Sequence, residues 1–374
     1  MSQIEELIER LCPDGVRAIP LGEIVKNLDS KRRPVTRGNR RNGPFPYYGA
    51  NGIQDYVHDY LFDGTFLLLG EDGSVIRPNG SPVLNWATGK IWVNNHAHVL
   101  QPASHSVDLR FLYYFLTTVK IGSFITGGTQ PKLNQRNMNG IPVMVPPLEV
   151  QHEIVKILDT FTDLKSELEA ELESRRLQYQ LCQEKLLTPA SDTTLSALGD
   201  ISSIKTGGTV SKKFIRNNPG PFPVINSGKS PLGYVNAFNS EDDPIGITSR
   251  GAGVGSITWC PGRYFRGNLN YSVTIKSSEL VNTRFLYHSL VHLQPKIHEL
   301  STFQGIPALN KANLQKLRIP LPSLELQERI VARLDTFDAL VNDLSSGLPA
   351  ELNARHAQYE YYRDKLLTFK ELKS

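Results

Sequence analysis

Two stretches of the chain carry apolar residues at alternating steps of four and three, the pattern of a helix that packs along another helix. They predict one long helix over residues 149–188 and a second over residues 324–370. Near Leu348 the step pattern changes and Gly347 and Pro349 occur, so we expect a kink or a short break there. Seams of this length favour pairing of the two helices; the alternative is that each packs separately on its own domain. The predicted helix–helix seam consists of Ile154, Leu158, Phe161, Leu168, Leu172, Tyr179, Ile330, Leu334, Phe337, Val341, Leu344 and Tyr359.

The remaining segments, residues 1–148 and 189–323, lack this periodicity. Short apolar runs such as "TFLLLG", "KIWVNN" and "YSVTIK" predict β-strands, and "RFLYYFLTTV" predicts a short buried helix. Residues 3–11 predict a short amphipathic helix at the start of the chain. We therefore predict two mixed α/β domains, each followed by one of the long helices.

The two halves of the chain repeat one another. "PPLEVQHEIVKILDTF" from Pro146 and "PSLELQERIVARLDTF" from Pro322 are identical at ten of sixteen positions. "GPFP", "RFLY", "KLLT" and a Pro-x-Leu-Asn word also recur in the same order. The helix at residues 3–11 matches the tail of a long helix, so the repeat closes on itself and predicts pseudo-two-fold symmetry. We expect this short helix to pack near the final turns of the C-terminal helix.

Composition places the chain among soluble globular proteins, with 40% hydrophobic and 21% charged residues. The first residues do not form a secretory signal, and no apolar run reaches membrane-spanning length. Cys12, Cys182 and Cys260 stand far apart, which fits a reducing cytoplasm and predicts neither a disulfide framework nor a metal site. We therefore expect a cytoplasmic protein.

The net charge of +4 is unevenly distributed along the chain. Residues 26–41 hold seven cations and one acid, and residues 205–216 hold four cations and no acid. The first long helix is acidic. Such segregation is typical of a polyanion partner, although two solvated loops would give the same pattern.

The repeat keeps its framework words and changes the charged, Gly-containing loops, as expected of two domains that read different targets. In domains that bind nucleic acid, Lys and Arg bind phosphates, while Arg, Asn and Gln contact base edges. Arg250, in a Gly-rich turn, is the leading candidate reader in the second domain. The candidate DNA-binding residues are Lys31, Arg32, Arg33, Arg37, Arg40, Arg41, Lys90, Asn94, Gln130, Lys132, Lys205, Thr209, Lys212, Lys213, Arg216, Lys229, Arg250, Arg266 and Gln304.

The sequence contains none of the enzyme motifs considered below in complete form. "INSGKS" ends like a phosphate-binding loop, but Pro223 stands where that loop needs its first Gly. The chain has no Asn/Asp-Pro-Pro-aromatic word, no His-Glu-x-x-His word and no clustered set of carboxylates. We therefore expect no catalytic residues in this chain.

The words "PPLEVQHEIVKILD" and "PSLELQERIVARLD", both "KLLT" endings, "LLLGEDGSV" and "TSRGAGVGSI" together resemble the specificity (S) subunit of type I restriction–modification enzymes. The resemblance covers essentially the whole chain. It implies an α+β fold with two similar target recognition domains, residues 1–148 and 189–323, joined by two long helices paired as an antiparallel coiled coil. Each domain would read one half of a split double-stranded DNA site, and the helices would set the spacer.

The same resemblance implies partners and cofactors. Two methyltransferase (M) subunits, which methylate adenine N6 with S-adenosylmethionine, would dock on this subunit, and restriction (R) subunits using ATP and Mg²⁺ could join them. No cofactor is expected in this chain. Two other hypotheses remain open: a stand-alone DNA-binding or decoy protein, which would not co-purify with a methyltransferase, and an enzyme of unrecognised type, which would act on DNA alone.

Overall fold

The computed structural model describes residues 3–190, 193–228, 230–343 and 345–372. The chain divides into two compact units: unit 1 comprises Met1–Leu168 and Leu352–Ser374, and unit 2 comprises Glu169–Glu351. Unit 1 is therefore assembled from both ends of the chain, as the circular repeat predicts.

Unit 1 is a mixed α/β domain. Its helices are α1 (Gln3–Leu11), α2 (Leu21–Ile24), α3 (Leu109–Leu116) and α4 (Gln135–Asn139). Its strands are β1 (Ala18–Pro20), β2 (Val25–Asn27), β3 (Phe45–Gly49), β4 (Gly52–Val57), β5 (Phe62–Gly70), β6 (Leu84–Val93), β7 (Ala97–Pro102) and β8 (Pro142–Met144). The main sheet has the strand order β2-β7-β5-β6-β3-β4, and β1 pairs separately with β8.

The buried run of β5 explains its central position in this sheet. Residues 66–70 are all buried, which is the pattern of a strand covered on both faces. The helix α3 supplies Phe111, Leu112 and Leu116 to the main core of the unit. Asp108 caps the start of α3 by accepting a hydrogen bond from the amide of Phe111.

The two ends of the chain meet in unit 1, as predicted. The Glu5 carboxylate of α1 lies 2.6 Å from the Lys365 amine near the end of the C-terminal helix. Ile4, Leu366 and Leu367 belong to one buried cluster. The short opening helix thus completes the core at the end of the last helix.

Unit 2 has the same kind of architecture. Its helices are α6 (Leu198–Ile201), α7 (Lys212–Asn217), α8 (Thr283–His292), α9 (Gln294–Glu299) and α10 (Lys311–Gln315). Its strands are β9 (Thr194–Ala197), β10 (Ser202–Thr206), β11 (Phe222–Ile225), β12 (Tyr234–Val235), β13 (Ile245–Thr248), β14 (Ile257–Trp259), β15 (Phe265–Arg266), β16 (Asn270–Ile275), β17 (Ser301–Thr302), β18 (Ala308–Leu309) and β19 (Arg318–Leu321). The sheets have the orders β10-β16-β13-β14 and β12-β11-β15, with the separate pairs β19-β9 and β17-β18.

The repeat extends to strand register. In unit 1, β3 pairs in parallel with β6, with Tyr48 opposite Val93. In unit 2, β11 pairs in parallel with β15, with Ile225 opposite Arg266. The antiparallel pair β1–β8 has its counterpart in β9–β19. Matched pairing of this kind shows that the sequence repeat encodes one framework twice.

The long helices are α5 (Leu148–Leu187), α11 (Leu324–Asn342) and α12 (Leu348–Leu366). The predicted second helix is therefore broken where a kink or break was expected. The Gly347 amide donates a hydrogen bond to the Asp343 carbonyl. A Cβ at Gly347 would lie 2.5 Å from the carbonyl oxygen of Ala339. Glycine fits this tight turn because it carries no Cβ.

The heptad residues pair within each unit. In unit 1 the ring of Phe161 on α5 stacks on Tyr362 of α12, with 5.5 Å between ring centroids. In unit 2 the ring of Tyr179 on α5 stacks on Phe337 of α11 at 6.3 Å.

The direction of pairing is antiparallel. In unit 2, Leu186 near the end of α5 lines the same cavity as Leu326 and Ile330 near the start of α11. Tyr179, about two turns earlier on α5, meets Phe337 farther along α11. The two helices therefore run in opposite directions.

The seam residues divide into buried and half-buried groups. Ile154, Leu158, Leu172, Tyr179, Ile330, Leu334 and Val341 are buried, Phe161, Leu168, Phe337 and Tyr359 are half-buried, and Leu344 lies outside the described residues. Ile154 and Leu158 also belong to the main core of unit 1. The first turns of α5 thus pack on a domain, and the later turns pair with another helix.

A buried glutamine fixes the start of each long helix on its own domain. Gln151 is fully buried; its side chain accepts from the Asp108 amide at 2.8 Å and donates to the carbonyls of Ser106 and Pro146. Gln327 makes the same set of bonds, accepting from Asn282 and donating to two carbonyls. This explains why the repeated word contains Gln at its sixth position.

Candidate nucleic-acid interface

The basic loop of unit 1, residues 31–41, crosses the main sheet and exposes most of its cations. Lys31, Arg33, Arg37 and Arg41 are exposed. Two side chains of the main sheet hold the loop backbone. The Trp92 indole donates to the Arg33 carbonyl at 2.6 Å, and the Tyr47 hydroxyl accepts from the Val35 amide at 3.0 Å. A fixed backbone with free cationic side chains suits contact with phosphates.

Arg32 was predicted to bind DNA, but in the structure its guanidinium is engaged by two carboxylates of the protein. Its guanidinium lies 2.7 Å from the Glu71 carboxylate and 3.3 Å from that of Asp29, with its side chain 12% exposed. It also donates to the carbonyl of Ala97. Arg32 therefore ties the loop to the sheet.

Asp29 completes this buried network. Burial would raise the pKa of its carboxyl, but hydrogen bonds from His98, Asn27 and the Val99 amide hold that pKa below its usual value. Asp29 is therefore ionised at neutral pH, where it balances Arg32.

One group of side chains within the described residues has ligand atoms close enough together to hold a metal ion. It consists of Asp29, Glu71 and His98. Both carboxylates already bind Arg32. The Nε2–H of His98 donates to the Leu133 carbonyl at 2.8 Å, and its Nδ1 lies 2.5 Å from the Asp29 carboxylate. A guanidinium thus supplies the positive charge that this set of ligands needs.

Two further candidates in unit 1, Asn94 and Arg40, make contacts within the protein. Asn94 is 3% exposed and its side-chain oxygen accepts from the amide of His96. Arg40 packs on the ring of Tyr47 and lies 3.2 Å from the Asp55 carboxylate. Both shape the loop next to the exposed cations.

The outer candidates of unit 1 remain accessible. Lys90 is exposed above the Tyr60 ring at 4.7 Å, Gln130 is exposed, and the Lys132 side chain is 49% exposed although it lies 3.5 Å from Glu71. At the end of the basic loop, the Arg41 carbonyl accepts from the His58 amide.

The basic segment of unit 2 folds differently. Ser211 caps the short helix α7 by accepting from the amide of Phe214, and that ring packs on Phe265. This contact directs the polar face of α7 outward. The candidates Lys205, Thr209, Lys212, Lys213 and Arg216 are all exposed.

Arg266 was predicted to bind DNA, and it is instead buried at 2% exposure. It donates to the Asn270 side chain at 2.5 Å and to the Asp243 carbonyl at 2.7 Å. Burial lowers the pKa of its guanidinium, opposed by the nearby Tyr264 and Asp243. Arg266 is a core cation that cannot reach DNA.

Arg250 lies at an exposed turn, as predicted. The amide of Gly251 donates to the Pro307 carbonyl at 2.9 Å, and Arg250 pairs through its backbone with Ala308. This brings Arg250 beside the loop that carries the exposed candidate Gln304. Lys229, another candidate, lies outside the described residues.

The same loop carries two residues that sequence reasoning did not select. Phe303 is 52% exposed and Ile306 is 69% exposed, on either side of Gln304. Exposed apolar side chains beside cations occur where proteins contact bases. The repeat offered a signal, because the matching loop of unit 1 reads "TGGTQP" and unit 2 reads "TFQGIP".

No helix within the described residues is long and apolar enough to cross a membrane.

Comparison with known proteins identifies the family. The model of the type I restriction modification DNA specificity domain matches residues 13–175 and again residues 190–354. A putative type I restriction enzyme specificity subunit of Haemophilus influenzae is 37% identical, covering 94% of this chain and 94% of its own. The specificity subunit of a type I restriction enzyme of Escherichia coli is 27% identical, covering 99% and 97%.

Solved structures show the same fold. The S subunit of a type I restriction–modification system from M. genitalium superposes with a TM-score of 0.70 at 19% identity, covering 93% of this chain and 95% of that one. The chain belongs to the type I restriction–modification DNA specificity family. It is a DNA-recognition component and not a catalytic subunit.

Proposed function

We propose that unit 1 and unit 2 each read one half of a bipartite DNA site. The observation that carries this proposal is the contrast between framework and loops. The strand pairing and the buried glutamine at the start of each long helix are the same in both units. The exposed basic segments, by contrast, differ in sequence and in fold. One framework with two recognition surfaces suits two different half-sites.

The partners in this proposal are methyltransferase subunits, two per S subunit, with restriction subunits joining through them. Exposed apolar residues on the long helices support docking there. Leu177 and Leu181 on α5 are 57% and 58% exposed, and Leu340 on α11 is 37% exposed. Apolar side chains grouped on a helix surface are typical of protein interfaces.

Cofactors in the proposed complex belong to the partners. The methyltransferase subunits would use S-adenosylmethionine for adenine N6 methylation, and restriction subunits would use ATP and Mg²⁺. This chain would supply the address and the spacing between half-sites, with the long helices setting the unspecified spacer. The expected compartment is the cytoplasm.

A map of N6-methyladenine in cells with and without the gene tests the proposal. We expect a split motif that depends on the gene. Exchanging residues 20–145 for the matching segment of a relative should change one half of that motif only. A change in both halves, or in neither, would contradict separate reading by the two units.

Co-purification separates this proposal from a stand-alone DNA-binding protein. The tagged chain should bring down a methyltransferase subunit from its own cells. Recovery of the chain with DNA but without a methyltransferase would instead support the stand-alone function.

A further inference from the structure

The two units present matched turns with opposite chemistry. In unit 1 the turn after β5 contains Glu71 and Asp72, and the Leu133 amide donates to the Glu71 carbonyl at 2.8 Å. In unit 2 the turn after β13 contains Ser249 and Arg250, and the Leu309 amide donates to the Ser249 carbonyl at 2.8 Å. The hydrogen bonds are the same, so Asp72 and Arg250 occupy equivalent positions.

Further pairing confirms this alignment. Asp72 forms an antiparallel bridge with Lys132, and Arg250 forms one with Ala308, the residue that matches Lys132 in the repeat. The next residue in each turn is a glycine with positive φ, +74° in unit 1 and +97° in unit 2. The backbone of both turns is thus built alike, and the side chain at this position is a carboxylate in one unit and a guanidinium in the other.

The Asp72 carboxylate is held in one orientation. The Nδ1 atom of His96 forms a short hydrogen bond with Asp72, and the Asp72 side chain is 30% exposed. The neighbouring Glu71 is engaged by Arg32 and Lys132, which leaves Asp72 as the acidic group of this turn that faces outward. Within the described residues, none forms an ion pair with Arg250, whose side chain is exposed.

The chemistry of base recognition differs accordingly. In the major groove, Arg pairs with the O6 and N7 acceptors of guanine, and Asp accepts from the N4 amino group of cytosine. We propose that Arg250 reads a guanine in the half-site of unit 2 and that Asp72, oriented by His96, reads a cytosine in the half-site of unit 1. This inference rests on the proposed function and adds the base class read at one position of each half.

Both turns would thus read a G·C pair, but through different bases of the pair. In unit 2 the exposed Phe303 and Ile306 beside Arg250 add apolar contacts that the "TGGTQP" loop of unit 1 cannot make. The two half-sites are therefore expected to differ around this pair even though the turns match.

Mapping the methylated motif of the complete complex tests the inference. The wild-type motif should contain a G·C pair in each half. Asp72→Asn should change one G·C pair to A·T in the half read by unit 1, since Asn pairs with adenine, and Arg250→Gln should do the same in the other half. Each change should alter preference between the two pairs by at least about fivefold.

Matched controls use the same changes in charge away from the turns. Asp14→Asn and Arg318→Gln alter exposed residues in unit 1 and unit 2 and should leave the motif unchanged. His96→Gln should weaken discrimination at the pair read by Asp72 without changing which pair is preferred, as expected of a positioning residue.

The outcomes separate the two proposals. Absence of any gene-dependent motif would overturn the proposed function. A bipartite motif that is the same in the wild type, Asp72→Asn and Arg250→Gln would overturn only this inference. If a variant yields no methylation, the wild-type motif still decides, because a half-site built of A·T pairs alone would refute reading by these turns.

Discussion

Replacing Gln151 with leucine should loosen unit 1 from the start of its long helix. Leucine has a similar volume but cannot bond the Asp108 amide or the carbonyls of Ser106 and Pro146, which lie 2.7 to 2.9 Å from the glutamine side chain. Because Gln151 is fully buried, water does not reach its position to replace these bonds.

The magnitude follows from the groups left without partners. A buried polar group without a hydrogen bond costs about 1–3 kcal/mol. Three groups lose partners, but the segment around Ser106 is near the surface and recovers part of the loss from water. We therefore expect the free energy of unfolding of unit 1 to fall by about 3 kcal/mol.

Urea unfolding with tryptophan fluorescence can measure this change. Trp86 and Trp92 lie in unit 1 and Trp259 in unit 2, so a Trp259→Phe background reports on unit 1 alone. Gln135→Leu, at an exposed position of α4, is the matched control and should change the free energy of unfolding by less than about 0.5 kcal/mol.

Hydrogen exchange gives a second, local measurement. The Asp108 amide should exchange faster in Gln151→Leu because its acceptor is gone. A loss of stability below about 1 kcal/mol, with unchanged exchange at Asp108, would refute the view that this glutamine joins helix and domain.

Three further predictions concern pH, salt and helix pairing. Burial holds the pKa of His288 below its ordinary 6.5, so the unfolded chain binds the proton more tightly and the free energy of unfolding falls as the pH drops below about 6.5. His288→Tyr should make the free energy of unfolding, measured by urea titration, depend less on pH between about pH 6.5 and 5. An unchanged pH dependence would contradict this prediction. Arg33→Gln combined with Arg37→Gln should reduce the slope of log affinity for DNA against log salt by up to about 2, whereas a slope equal to that of the wild type would mean that these cations lie away from the DNA. Phe337→Ala should lower the free energy of unfolding by about 1–3 kcal/mol, because the half-buried ring stacks on Tyr179 in the helix seam. Thermal unfolding measures this loss, with Leu177→Ala at an exposed position as the control. Equal losses in both variants would argue against the seam.

The candidate site was predictable only in part, and the errors have one physical cause. A cluster of cations in the sequence shows where charge is concentrated, but it does not show which cations already have partners. Arg32 meets Glu71, which lies 39 residues further along the chain, and Arg266 is enclosed by a sheet that forms only on folding. Arg250, which precedes Gly251 in a turn, is exposed in the structure, and its role in binding DNA stays a prediction.

Local and repeated patterns in the sequence determined the long helices, the two-domain organisation and the break near Gly347. Heptad spacing and glycine or proline signals act through neighbours a few residues apart, so they can be read without the fold. Tertiary structure alone decided which seam residues pack on a domain, which cations face outward and that Asp72 occupies the position of Arg250. Those properties depend on contacts between residues far apart in the chain, which the order of amino acids does not display.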